Sequence, residues 1–170
     1  MSFPLSQVNL WGRAEFIDVI GPVFEHSPWI ADETWPQQPF HSVKELHHAL
    51  CETVTSAGLE KQLALIRAHP DLVGRAALAG TLTRESSGEQ ASAGLNKLSA
   101  EEIILFQRQN AAYHEKFGFP LVICVRLNKK EAILAGFEKR LQNTREQEVQ
   151  IALEEIFKIA EFRLCDLISD

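Results

Sequence analysis

The sequence has little cysteine, little positive charge and no long apolar run. Its three cysteines, Cys51, Cys124 and Cys165, are an odd and widely spaced set without a C-x-x-C pair. That excludes a disulfide frame and predicts reduced thiols in the cytoplasm. Lysine and arginine together number 17 against 23 acidic residues, for a net charge of −6 and an isoelectric point near 5.5. A nucleic-acid partner would call for the opposite balance, clustered. No apolar stretch approaches the length of a membrane span, and the first residues lack the basic-then-apolar order of a signal peptide. The last residues carry no peroxisomal tripeptide. Gly74, Gly80 and Gly88 fit neither phosphate-loop nor dinucleotide spacing, and a Gly-x-Ser-x-Gly elbow is missing. With 170 residues, the expectation is one soluble, cytoplasmic domain large enough for a sizeable core, with no nucleic acid and no membrane as partner.

What is present reads as helix after helix. Residues 9–20 place Leu10, Ala14, Ile17 and Ile20 on one face, and Gly21-Pro22 ends the run. Ser42 and Glu45 have the spacing of a capping box, followed by Val43, Leu46, Leu50 and Val54 on one face up to Gly58. The same S/T-x-x-E/Q spacing recurs at Ser86 and Glu89, at Ser99 and Glu102, and at Thr144 and Gln147. Asn128 and Glu131 predict another start. Residues 119–125 break the pattern, being β-branched and bounded by Gly118 and Asn128, yet no second strand offers a partner. The predicted fold is therefore all-α, a single-domain helical bundle with one buried extended segment. The backbone groups of that segment need partners, and a polar ligand would supply some.

Candidate chemistry gathers at residues 68–75 and 86–90. A residue before proline is pushed away from the helical conformation, so His69, preceding Pro70, is expected at a backbone corner. Glu89, in the first turn of a helix capped by Ser86, would suit proton transfer with it, although a satisfied core histidine fits the residues alone as well. Arg163 falls inside the apolar stripe Val149, Leu153, Ile156, Ala160 and Leu167 of the last helix. A guanidinium there must be paired. Two readings stand: an internal salt bridge, or a clamp for an anionic ligand, to which its planar fork is suited. His47 with Cys51 has ligand-like spacing, but zinc needs three or four ligands and no second motif contributes. His47 and His48 are expected to be surface histidines beside a core cysteine. His69 and Asp71 make only a two-residue H-x-D pair.

Across nearly its full length the sequence resembles the decarboxylases of 2-oxo-4-hydroxy-4-carboxy-5-ureidoimidazoline (OHCU). The resemblance is carried by Ser27-Pro28-Trp29, Pro39-Phe40, His69-Pro70-Asp71-Leu72 and Thr81-Leu82-Thr83. It continues through Ser86-Ser87-Gly88-Glu89-Gln90, Ala93-Gly94-Leu95, Asn110-Ala111-Ala112-Tyr113 and Phe117-Gly118-Phe119-Pro120. It ends on Glu155-Ile156, Lys158-Ile159-Ala160 and Arg163-Leu164. It implies an all-helical, cofactor-independent carboxy-lyase of urate degradation, without metal, commonly a homodimer. The proton-transferring histidine would be His69 and the catalytic carboxylate Glu89. Substrate contacts would fall on Pro70, Ser86, Ser87, Gly88, Glu89, Gln90, Leu121, Val122, Ile123, Cys124, Val125 and Arg163. Leu121 stands where many relatives have phenylalanine. The clamp reading of Arg163, favoured by the resemblance, expects no buried carboxylate beside it.

Overall fold

Local capping chemistry sets many of the helix boundaries. The structure, a computed structural model, describes residues 2–170. In order the helices are α1 (Leu5–Val8), α2 (Arg13–Ile20), α3 (Trp29–Thr34), α4 (Val43–Ser56) and α5 (Leu59–Ala68). They continue with α6 (Arg75–Ala79), α7 (Arg84–Ser92), α8 (Ala100–Phe117), α9 (Lys130–Arg140) and α10 (Arg145–Leu167). Among the described residues the only sheet is a parallel pair, β1 (Phe3–Pro4) and β2 (Ile168–Ser169), with Phe3 opposite Ile168. The all-α expectation holds.

Contacts divide the chain into two compact units, one comprising the chain up to Ala68 with Phe157–Asp170, the other His69–Ile156. In the first, α2, α3 and α4 pack around Phe16, Ile20, Ile30, Leu46 and Leu50, all fully buried. Asp170 accepts the Val43 N–H at 2.7 Å, so the C-terminal residue satisfies a free amide at the start of α4. In the second, Tyr113 and Phe117 of α8 meet at 4.6 Å between ring centres, with Phe106, Phe119 and Phe137 around them. Set into this aromatic core is an ion pair: Arg140 Nε donates to Glu148 at 2.8 Å, and the Tyr113 hydroxyl donates to the same carboxylate. Burial, above all, pushes the Tyr113 phenol up, so it stays a donor.

The caps at Ser99 and Glu102, and at Thr144 and Gln147, form reciprocally as their spacing predicts. Three expectations are corrected. The helix expected over residues 9–20 begins only at Arg13: Asn9 is instead the C-cap of α1, with its side chain bonding the Phe40 backbone in both directions at 2.7 and 2.8 Å, and the extended Gly12 precedes α2. Leu10 is consequently exposed, not on a core face. Helix α9 starts at Lys130 with no side-chain cap, so Asn128 and Glu131 form no box; the Asn128 amide donates instead to the Cys124 carbonyl. Ser86 is not the cap of its helix. Thr83 is, accepting the Ser86 N–H at 3.3 Å, which puts Ser86 and Glu89 inside α7.

Candidate active site

His69 occupies the start of a corner held in an uncommon backbone conformation. The residue is buried, 8% exposed. Four residues on, Val73 has φ +53°, a left-handed value that a β-branched side chain resists. A Cβ on Gly74 would come within 2.5 Å of the Asp71 Cβ, so the turn closes only with glycine there. The corner persists because side chains of other elements hold it. Gln90 Oε1 accepts the Val73 N–H at 3.1 Å and Gln90 Nε2 donates to the Asp71 carbonyl at 3.4 Å. Asn110 Nδ2, from α8, donates to the Leu72 carbonyl at 2.8 Å, and His114 Nε2 lies 2.7 Å from Asp71 Oδ1. Strain kept by an over-determined surround is a mark of functional sites.

Helix α7 inverts the usual pattern. Its buried residues are Ser86, Glu89 and Gln90, at i, i+3 and i+4, so the face turned inward is polar. An ordinary surface helix buries its apolar stripe. Ser87 and Gly88 are exposed. Thr83 as cap frees Glu89 from a capping role and leaves its side chain on the inward face, 9% exposed.

The extended segment is irregular, as expected, and Leu121, Val122, Cys124 and Val125 are buried, with Ile123 partly so. Side chains satisfy several of its backbone groups. Arg140 Nη1 donates to the Val122 carbonyl, and Glu155 of α10 accepts the Cys124 N–H at 2.8 Å. A single 3-10 turn, Val125–Leu127, follows. From it Arg126 reaches to 3.8 Å from Glu89 Oε1. Helix α7 is thus tied on one side to the His69 corner through Gln90 and on the other to the extended segment through Glu89. Pieces far apart in sequence are brought together in the second unit.

Arg163 belongs to the first unit, and the expectation of no buried carboxylate beside it is overturned. Its Nη1 lies 3.1 Å from Glu25 Oε2, with side chains 4% and 2% exposed, and also reaches the carbonyls of Pro22 and Val23 at 3.4 and 3.3 Å. Of the other candidates, His47 Nε2 bonds the Phe157 carbonyl at 2.8 Å and sits 3.4 Å from Cys51 Sγ. Burial pushes the Cys51 thiol up to about 12, a protonated and unreactive group. His48 is exposed beside Glu52. Among the described residues no three His, Cys, Asp or Glu side chains cluster to hold a metal, and no helix is long and apolar enough to cross a membrane. Sequence spacing missed Arg126 and the His114–Asp71 pair. Asn110 did leave a signal, as the one polar residue in the stripe Phe106, Asn110, Tyr113, Phe117.

Fold and site together describe an all-helical protein in which a helix with a buried polar face, bearing Glu89, is bonded through Gln90 to the corner that begins at His69. The chain belongs to the OHCU decarboxylase family, whose profile matches residues 9–165. It is 43% identical over 165 residues to the 2-oxo-4-hydroxy-4-carboxy-5-ureidoimidazoline decarboxylase of Haloferax volcanii, covering 97% of this chain and 96% of that protein. The decarboxylase of Amia calva is likewise 43% identical over 165 residues, 97% and 94% covered. A crystal structure of (S)-allantoin synthase superposes with a TM-score of 0.76 at 28% identity, covering 98% of this chain. The chain spans 54% of that longer one. An OHCU decarboxylase crystallised in the presence of (S)-allantoin shares the fold, with a TM-score of 0.66 at 24% identity over 84% of this chain and 92% of that one.

Proposed function

We propose that His69 delivers the proton, and Glu89 serves as its carboxylate partner, in the family's reaction: decarboxylation of 2-oxo-4-hydroxy-4-carboxy-5-ureidoimidazoline to (S)-allantoin in urate degradation. The chain, as a family member, is a carboxy-lyase. The observation that carries the assignment is the inward polar face of α7, joined by Gln90 to the corner that bears His69.

The substrate's ring carbon C4 bears both hydroxyl and carboxylate, next to a C5 that is doubly bonded to nitrogen. When the bond from C4 to the carboxylate breaks, carbon dioxide leaves. The electron pair forms a C4–C5 double bond and moves the imine pair onto nitrogen, which takes a proton. The resulting enol ketonises as its hydroxyl loses a proton and C5 gains one. Because the substrate is its own electron sink, the protein has to supply position, charge and one stereospecific proton. His69 gives that proton to a single face of C5. Glu89 orients the imidazole or accepts from the substrate hydroxyl. Ser86 and the backbone of Leu121, Val122, Ile123, Cys124 and Val125 meet the ring and ureido groups, beside Pro70. Gln90, engaged with the corner backbone, contributes mainly by holding it. Arg163, which the resemblance counts among the substrate contacts, is paired with Glu25 in the first unit, and a double variant of the two tests a role in binding apart from that pair. The proposal extends to a homodimer, which light scattering on the purified protein tests, and to the cytoplasm, which cell fractionation tests.

The deciding experiment supplies substrate made fresh by enzymatic oxidation and hydrolysis of urate, then follows optical activity and carbon dioxide. Rapid, protein-dependent appearance of (S)-allantoin, unaffected by a chelator, is expected. A protein that binds allantoin without accelerating its formation is a binding module. Loss of activity on chelation points to metal-dependent chemistry.

A further inference from the structure

A buried ion pair is weak grounds for stability, since apolar residues of similar volume often serve as well. The buried cluster of Arg140, Glu148 and Tyr113 calls for another reason. The Glu148 carboxylate accepts from Arg140 Nε at 2.8 Å, from the Tyr113 hydroxyl, and from Asn143 Nδ2 at 2.7 Å. With Nε so engaged and the guanidinium 5.8 Å from the centre of the Tyr113 ring, the planar fork is set in direction. Its Nη1 donates to the Val122 carbonyl. Seven residues along α10 from Glu148, and so on the same face of that helix, Glu155 accepts the Cys124 N–H at 2.8 Å. Two charged side chains thus grip the extended segment at residues 122 and 124.

Between the two grips lies Ile123. A trans peptide is planar, with its carbonyl and N–H pointing in opposite directions, and the only cis bond among the described residues precedes Pro39. In the peptide joining Val122 to Ile123 the carbonyl is held by Arg140, so the Ile123 N–H points away from Arg140. In the peptide joining Ile123 to Cys124 the N–H is held by Glu155, so the Ile123 carbonyl points away from Glu155. Among the described residues no hydrogen bond reaches either Ile123 group. The residues on both sides, Val122 and Cys124, are buried, and backbone groups in such surroundings are nearly always paired. In extended backbone the N–H and carbonyl of one residue share an edge. A donor and an acceptor side by side suit a ligand with a carbonyl next to an N–H, the pattern of a ureide.

We propose that Arg140 and Glu155 are positioning residues: by holding the Val122 carbonyl and the Cys124 N–H, they aim the N–H and carbonyl of Ile123 at the ureide part of the substrate. This deepens the reading above that residues 121–125 meet the substrate, and it rests on that reading. The test compares the wild type with Arg140→Lys, Glu155→Met and Glu155→Gln. Each is melted, titrated with (S)-allantoin and assayed for kcat and KM, and the Ile123 amide resonance is followed by NMR up to saturating allantoin. Lysine keeps a cation for Glu148 but lacks the fork that spans Glu148 and the Val122 carbonyl. Methionine removes the acceptor of the Cys124 N–H, whereas glutamine keeps one. The wild-type Ile123 amide shifts when allantoin binds. In Arg140→Lys and Glu155→Met that shift shrinks and allantoin binds about tenfold more weakly, the scale of one net hydrogen bond. KM rises by a similar factor and kcat falls less, the mark of a contact made both before and during bond breaking. Glu155→Gln recovers most of the affinity. Lower melting with wild-type affinity and a wild-type Ile123 shift makes both residues structural and overturns the proposal. A Glu155→Gln that binds as weakly as Glu155→Met overturns it too. If Arg140→Lys does not fold, the two Glu155 variants decide. A wild-type Ile123 amide that ignores allantoin sinks the reading of residues 121–125 and takes this inference with it. A responsive wild-type amide beside variants that bind as the wild type does sinks the inference alone.

Discussion

Gln90 holds Val73 in a left-handed backbone conformation, accepting its N–H at 3.1 Å while donating to the Asp71 carbonyl two residues earlier. One side-chain amide therefore closes the corner that begins at His69. Gln90→Leu keeps the volume roughly and removes both bonds, leaving a buried N–H without its acceptor. Unfolding in urea is expected to show a loss of about 1–3 kcal/mol, with a fall in kcat as the corner relaxes. A variant that keeps wild-type stability would mean the corner holds without Gln90.

His69 and Glu89 are predicted to separate fold from activity. His69→Ala should lower turnover by about two to four orders of magnitude, the usual scale of general acid–base catalysis, with an unchanged melting curve. Glu89→Gln tests a carboxylate that has no capping duty, since Thr83 caps α7. It should fold as the wild type and lose activity on a similar scale. Near-normal turnover in either variant removes that residue from the mechanism.

Gly88 gives a prediction of opposite sign. It sits within α7, and a Cβ there would meet nothing within 4 Å. Glycine inside a helix is less stable than alanine by roughly 0.5–1 kcal/mol, so Gly88→Ala should raise the melting temperature. If substrate approaches the backbone at Gly88, KM rises at the same time. A more stable protein with wild-type KM would show that this exposed position makes no substrate contact.

The features legible in sequence were those set within a few residues. The caps at Ser99 with Glu102 and Thr144 with Gln147 are local exchanges of hydrogen bonds, and they form as spaced. The corner at His69-Pro70 follows from proline sterics in the same way. Spacing failed where a distant group competes. Asn9 looked like a helix start but closes α1 with its side chain on Phe40, and Asn128 is taken by the Cys124 carbonyl. In α7 the spacing pointed to Ser86 with Glu89, whereas the cap is Thr83, which has Ser86 and not a carboxylate three residues on; a helix that buries polar residues has no apolar period to fix its register. For the same reason the most informative part of the site left no periodic trace. Arg126 beside Glu89, like Arg163 beside Glu25, pairs residues far apart in the chain, and no rule of local spacing reaches that far.

Arg163 and Glu25 carry the last prediction. Both side chains are almost wholly buried, with Nη1 and Oε2 3.1 Å apart, and the guanidinium also reaches the carbonyls of Pro22 and Val23. Removing one member of such a pair strands the other charge, which costs about 3–5 kcal/mol. Arg163→Met is therefore expected to melt well below the wild type even without ligand. Replacing both partners with apolar residues is often neutral or stabilising, so Arg163→Met combined with Glu25→Leu should recover most of the lost stability. The double variant then isolates the second role assigned to the arginine. If Arg163 also meets the anionic edge of the substrate, the refolded double variant still binds allantoin roughly ten- to a hundredfold more weakly, the loss of one charge-assisted contact. Recovered stability with wild-type affinity would confine Arg163 to the ion pair.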